Sequence, residues 1–201
     1  MSRIAVIGAS GMVGSRVLAE AGARGHQVLA LSRRAAVDAT DPNAVRGAIA
    51  GTDAVVLTVR TVPVDQDHLV SITRTVLDIA AQLGIRVLVV GGAGALRSPG
   101  NHDLLVADNP EYVPAALKDV AAAGVAQLRT CQARPGGDWV YLSPPALLEP
   151  GERTGRYRRG TDVLLTAADG KSWISAEDLA VAVVDEVETP GSEHHITVVH
   201  R

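Results

Sequence analysis

The sequence predicts an α/β domain, a doubly wound, mostly parallel sheet with helices on both faces. Three observations predict it. Short runs rich in Val, Ile and Leu alternate with stretches of helical periodicity along most of the chain. The runs lack strict polar alternation, the pattern of strands buried on both faces. A glycine-rich turn joins the first run directly to the first helical stretch.

The predicted strands are Arg3–Ile7, Gln27–Leu31, Asp53–Val59, Arg86–Val90 and Asp138–Leu142. Between them, Met12, Val13, Val17, Leu18 and Ala21 share one helical stripe. Leu69, Ile72, Thr73, Val76, Leu77, Ala80 and Leu83 form a longer stripe, stopped by Gly84. Leu117, Val120, Ala121, Gly124, Val125 and Leu128 give a third. A last helix starts at Ser175, an N-cap with Asp178 three residues on, and stops at Pro190-Gly191. Residues 151–173 are turn-rich and read as a hairpin or irregular segment, and "HHITVV" (194–199) reads as a final strand. The expectation is one domain spanning 1–201, with about 147–201 forming a small, dependent C-terminal portion on the substrate side.

Composition narrows the function classes. Hydrophobic residues make up 47% and charged residues 20%, ordinary for a globular chain with a real core. The net charge of -3 implies no general attraction to nucleic acid or to an anionic membrane. Phe is absent and aromatics are only 2%, so the core is aliphatic and few platforms exist for stacking bases. A single cysteine, Cys131, excludes an internal disulfide framework and any Cys-based zinc site. It reads as a small buried hydrophobe. No signal peptide or membrane-spanning run stands out, which makes the cytoplasm the expectation.

The turn is "GASGMVG", with Gly8, Gly11 and Gly14 three apart between strand and helix. The first glycine permits the tight turn, the second lets backbone approach a pyrophosphate, and the third lets the helix pack against the strand. The helix N-terminus offers free N–H groups and partial positive charge, and Ser10 adds a hydroxyl. This context points to a dinucleotide. At the end of the second strand, where an acid would bind the ribose of NAD, stand Ser32, Arg33 and Arg34. A guanidinium pairs with a 2'-phosphate that a carboxylate would repel, so NADP(H) is preferred and NAD(H) remains possible. Asp38 reads equally as an acceptor for the adenine amino group or as a turn or cap residue before Asp41-Pro42.

The N-terminal stretch "IAVIGASGMVGSRVLAEAGARGHQVLALSRR" resembles the atypical short-chain dehydrogenase/reductase group, of Rossmann type. More narrowly, "VLVVGGAGAL", "WVYLSPPALLEPGERTGRYRRGTDVLL" and "GKSWISAEDLAVAVVDEVETP" resemble the NAD(P)H-binding, NADH-flavin reductase-like proteins. The resemblance covers nearly the whole chain. It implies that Ser10, Gly11, Met12 and Val13 cradle the pyrophosphate and that Arg33 and Arg34 meet the 2'-phosphate. It places Thr58, Val59 and Arg60 near the adenine side and the ribose. It sets Gly91, Gly92 and Ala93 along the nicotinamide ribose, and Ser143, Pro144 and Pro145 against the nicotinamide.

One departure constrains the chemistry. Dehydrogenases of the wider superfamily use a Tyr-x-x-x-Lys pair for proton transfer. The residues four beyond Tyr112, Tyr141 and Tyr157 are Ala116, Pro145 and Thr161. Without that pair no catalytic residue is assigned. Hydride transfer to a flavin, a quinone or a similar conjugated acceptor remains compatible, because the reduced acceptor takes its proton from water. The long connection over residues 95–112 reads as a lid, with His102 more simply a solvated loop histidine and Tyr112 equally a surface residue. The run Arg153, Arg156, Arg158 and Arg159 can meet a flavin phosphate, but a solvated hairpin balanced by Glu149 and Glu152 is the preferred reading. His194 and His195 point to opposite faces of a strand, so no metal is expected. The resulting expectation is an NAD(P)H-dependent reductase with a small-molecule acceptor, as a monomer or homodimer. The alternative is a non-enzymatic NADP(H)-sensing regulator acting through a protein partner.

Overall fold

The computed structural model of the chain describes residues 1–32 and 37–201. Strand β1 (Arg3–Ile7) passes through the glycine turn into α1 (Met12–Ala23), and β2 (Gln27–Leu31) follows. Next come α2 (Pro42–Ile49), β3 (Ala54–Leu57), α3 (Gln66–Leu83) and β4 (Arg86–Val90). A small hairpin, β5 (Arg97–Ser98) and β6 (Asn101–Leu105), precedes α4 (Lys118–Gln132) and β7 (Trp139–Ser143). The chain ends through β8 (Leu147–Glu149), β9 (Tyr157–Gly160), β10 (Trp173–Ser175), α5 (Ala176–Glu188) and β11 (His195–His200).

Among the described residues, one sheet has the strand order β2-β1-β3-β4-β7-β11-β9. Its neighbours pair in parallel, except β9, which runs antiparallel to β11 at the edge. From β1 the chain winds first to β2 on one side and then back to β3 on the other. The winding therefore reverses between β1 and β3, where a crevice opens at the carboxyl ends of the strands.

Alternate strand residues serve two cores, which is why the runs show no polar alternation. Ile7, Leu57, Val89 and Tyr141 pack under α2, α3 and α4, whereas Val6, Val56, Leu88 and Leu142 pack under α1 and α5. Each buried aliphatic side chain contributes about 1.5–3 kcal/mol. Ser175 caps α5 as expected, accepting from the Asp178 N–H at 3.0 Å. Gly84 ends α3 in the left-handed conformation, at φ 66°.

Three features differ from expectation. Helix α2 was not anticipated. It starts at Pro42 behind Asp41, whose carboxylate accepts from the Asn43 N–H at 2.9 Å. The 95–112 connection is not a bare lid, since Leu96, Val106 and Val113 bury against Ala121 and Leu164 in a third small core. The turn-rich tail is woven into the fold: β9 extends the main sheet, and β8 pairs in parallel with β10. Among the described residues no helix is long and apolar enough to cross a membrane.

Candidate cofactor site

Close approach explains the glycine turn. Gly8 has φ +91°, and a Cβ there would lie 2.8 Å from the Thr58 carbonyl oxygen. A Cβ on Gly14 would lie 2.3 Å from the Gly8 carbonyl oxygen, and one on Gly11 would lie 3.2 Å from it. The Gly8 and Ala9 N–H groups donate to the Leu31 carbonyl at 3.0 and 3.2 Å, and Gly11 N–H donates to Gly8 at 2.9 Å. The Thr58 hydroxyl donates to the Ile7 carbonyl at 3.1 Å, pinning the turn to the end of β3. The opening residues of α1, Met12 and Val13, line the crevice, and Gly11 gives the helix no side-chain cap, so the N–H groups of its first turn lack helical partners.

The crevice is a cleft of about 1270 Å³. It runs from Ser32 and Asp38 past β2, over the glycine turn and the Thr58–Asp65 segment, to Gly91, Gly92 and α4. Gly8, Ser10, Gly11, Met12 and Val13 line its centre, and Thr58, Val59 and Arg60 line the side beyond β3. Arg33 and Arg34 lie outside the described residues. The Asp38 carboxylate accepts from both the N–H and the hydroxyl of Thr40, at 2.8 and 2.7 Å, which holds its carboxyl below the usual range. It is a turn residue that also lines the cleft.

Five expected residues lie off the wall. Gly14 is buried under Gly8 and serves helix–strand packing. Ala93 opens a short 3-10 helix packed on the third core. Ser143, Pro144 and Pro145 are buried. The Ser143 hydroxyl shares a hydrogen bond with His195 Nε2 at 3.0 Å instead. The chain turns after β7, and Leu148 from β8 lines the cleft.

Helix α4 supplies a wall that the sequence did not mark as one: Val120 and Gly124 read only as part of a helical stripe. Val120, Ala123, Gly124 and Gln127 stand at i, i+3, i+4 and i+7 and line the cleft. That spacing was visible, but the polar Gln127 broke the apolar stripe. Gln127 is only 2% exposed and donates from Nε2 to the Thr73 hydroxyl at 3.1 Å. Below it, Tyr141 is fully buried and donates to the Gly124 carbonyl at 2.9 Å. Gly91 must be glycine, because a Cβ there would lie 1.9 Å from the Tyr141 ring. Thr61 to Asp65 and His68 also line the cleft, as do Leu69 and Ile72, which the sequence showed only as part of the α3 stripe.

The segment carrying Leu148 is strapped down by the motif residues. Both Glu20 oxygens accept from Arg153 at 2.7 Å, and one also accepts from Arg24 at 2.8 Å. Glu20 is 6% exposed, and its hydrogen bonds to Arg153 hold the carboxyl down at about 2. The Asp178 carboxylate accepts from the Thr154 hydroxyl at 2.6 Å and the Gly155 N–H at 2.8 Å. Glu177 accepts from the Gly151 N–H at 2.7 Å and from Arg16 at 2.5 Å. Arg16 also donates to the Met12 carbonyl at 2.9 Å, tying the strap to the start of α1.

The basic run is therefore not one solvated hairpin. Arg153 clamps α1, Arg158 donates to the Thr166 carbonyl, and Arg159 approaches Glu186 and Glu193, both at 3.4 Å. None of them lines the cleft. His102 is exposed on β6, and Tyr112 packs against the third core. His195 lies edge-on to Tyr141, and burial pushes its imidazole down to about 4. Burial likewise pushes the Cys131 thiol up to about 12, so it stays protonated.

A crevice at the winding reversal, floored by glycines and fed by a helix N-terminus, defines a dinucleotide-binding α/β protein. The family model described as NAD(P)H-binding matches residues 8–190. The chain belongs to that NAD(P)H-binding family. It is 36% identical to an uncharacterized Bacillus subtilis protein, YwnB, over 94% of this chain and 93% of that one. A crystal structure from Burkholderia pseudomallei, provisionally assigned as an exported protein, is 35% identical with a TM-score of 0.87, each chain covered in full. One from Streptococcus pneumoniae, provisionally assigned as an NADH-flavin reductase, is 26% identical with a TM-score of 0.85, again over both whole chains.

Proposed function

We propose that this protein is a cytoplasmic NADPH-dependent oxidoreductase that reduces a flavin, a quinone or a similar conjugated acceptor. The observation that carries the reading is the α4 wall. The pairs Val120/Gly124 and Ala123/Gln127 have the spacing a Tyr-x-x-x-Lys pair would need, and neither holds a group that donates a proton to a bound alkoxide. Among the described residues no Tyr or Lys lines the cleft. Tyr141 is committed beneath Gly91, and Tyr157 donates to Asp185 at 2.6 Å. Chemistry that needs a Tyr-Lys acid on this wall is disfavoured, and reduction of a conjugated ring is not.

The residues fit the cofactor: the cradle has no room for a Cβ at Gly8 or Gly14, and the uncapped start of α1 lines it. Ser10, Gly11, Met12 and Val13 would hold the pyrophosphate, with Arg33 and Arg34 at the 2'-phosphate. Thr58, Val59 and Arg60 would flank the ribose, leaving Gly91, Gly92 and the α4 wall to the nicotinamide. When bound, NADPH supplies the hydride. The glycine floor would orient the ring, and Leu148 and Val120, which line that end of the cleft, would shield it from water. The test is NADPH consumption with a broad panel of flavins and quinones. Turnover above background is expected. Arg33→Ala should raise KM for NADPH about tenfold or more while leaving NADH nearly unchanged. Tight NADP(H) binding with no turnover on any acceptor would overturn the enzymatic reading and leave the regulatory one.

A further inference from the structure

The cleft is unevenly charged. Its β2 and β3 side carries Asp38, Arg60, Asp65 and His68. Its β4, α4 and β8 side is walled by Val90, Gly91, Gly92, Val120, Ala123 and Leu148, with no charged side chain among the described residues. Gln127 is the one polar side chain there among the described residues, and its amide is engaged by Thr73. The glycine turn sits between the two sides, so a pyrophosphate over α1 sends adenosine toward Asp38 and nicotinamide toward α4. The acceptor then meets the uncharged side.

The arginines nearest in sequence do not change this. Arg153 is held by Glu20, and Arg159 faces Glu186 and Glu193 outside the cleft. Lys118 is exposed at the start of α4 and does not line the wall. A phosphate ester entering this end would lose water and find no cation among the described residues of this wall to replace it.

We infer that the acceptor is an uncharged, largely apolar conjugated ring, a quinone or a flavin without a phosphate ester, and that flavin nucleotides are not selected. The inference rests on the hydride-transfer reading. A C–H bond of the reduced nicotinamide breaks and its electron pair leaves with the hydride. A bond to hydrogen forms on the acceptor, and one proton from water completes the two-electron reduction.

The experiment compares acceptors matched in ring and differing in charge: riboflavin with its 5'-phosphate, and a neutral quinone with its sulfonated analogue. Two readouts are taken, kcat/KM with NADPH and equilibrium binding of each acceptor to the NADP+-loaded protein. The neutral member of each pair should be favoured or equal in both. Flavin mononucleotide favoured about tenfold over riboflavin would overturn the inference. Binding without turnover, with the neutral member preferred, would retain the charge selectivity and defeat only the hydride-transfer reading. Binding of neither ring would overturn both. Val120→Arg should shift the preference about tenfold toward flavin mononucleotide, and no shift would show that the ring does not lie against α4.

Discussion

Replacing Glu20 by Gln tests the clamp that holds the strap. The side chain keeps its shape but loses its charge, and with it the paired hydrogen bonds from Arg153. The carboxyl falls from its ordinary 4.5 to about 2 in the folded protein, which corresponds to about 3 kcal/mol of stabilisation. Arg153 is 55% exposed, so solvent screening reduces the expected loss to about 2 kcal/mol. For a chain of this size that is a fall in Tm of roughly 4–8 °C. The pH dependence has a definite sign. The unfolded carboxyl takes up a proton near 4.5 and the folded one only near 2. The wild-type advantage is therefore complete above about 4.5 and disappears as pH falls toward 2. Urea unfolding at pH 7 and pH 3.5 reads both effects. A loss below about 0.5 kcal/mol at pH 7, or an equal loss at both values, would refute the reasoning.

Gly14→Ala drives a Cβ to within 2.3 Å of the Gly8 carbonyl and must push α1 away from the turn. Calorimetric titration should show NADP(H) affinity reduced about a hundredfold or more while far-UV circular dichroism stays native, and unchanged affinity would refute the cradle. His195→Gln removes a buried imidazole that resists protonation down to about 4 against an ordinary 6.5. Because the unfolded chain binds that proton more readily, wild type alone loses this stability as pH falls from 6.5 toward 4. The gap between the two unfolding curves should narrow over that window, and a constant gap would contradict the burial of the ring.

Much of the scaffold was legible because it depends on local chemistry. The bounds of β1, β2 and β4 coincide with the apolar runs, since each run ends where glycine or polar residues begin. The cap at Ser175 and the stop at Gly84 follow from backbone requirements one residue wide. The asymmetry between the glycine turn and α4 is instructive. "GASGMVG" forms its cradle within one stretch of chain, so spacing alone displays it. The α4 wall exists only where the sheet brings Gly91, Tyr141 and Gly124 together, and no local pattern marks a stripe of Val, Ala, Gly and Gln as a cleft lining.

The "PGERTG" and "ISAEDLA" stretches show the same division. Their residues suggested a family, but not that Arg153 reaches Glu20, 133 positions away, or that Asp178 holds Thr154. The sequence by itself determined the α/β class, the dinucleotide turn and the missing Tyr-x-x-x-Lys pair, because each is a matter of periodicity or of residues a few positions apart. Only the tertiary structure decided that Leu148 lines the cleft while Ser143, Pro144 and Pro145 are buried, that Arg153 and Arg159 pair with carboxylates away from it, and that the α4 side carries no charge among the described residues. These depend on where distant strands and helices pack, and burial and long-range hydrogen bonds settle that, not the order of neighbouring residues.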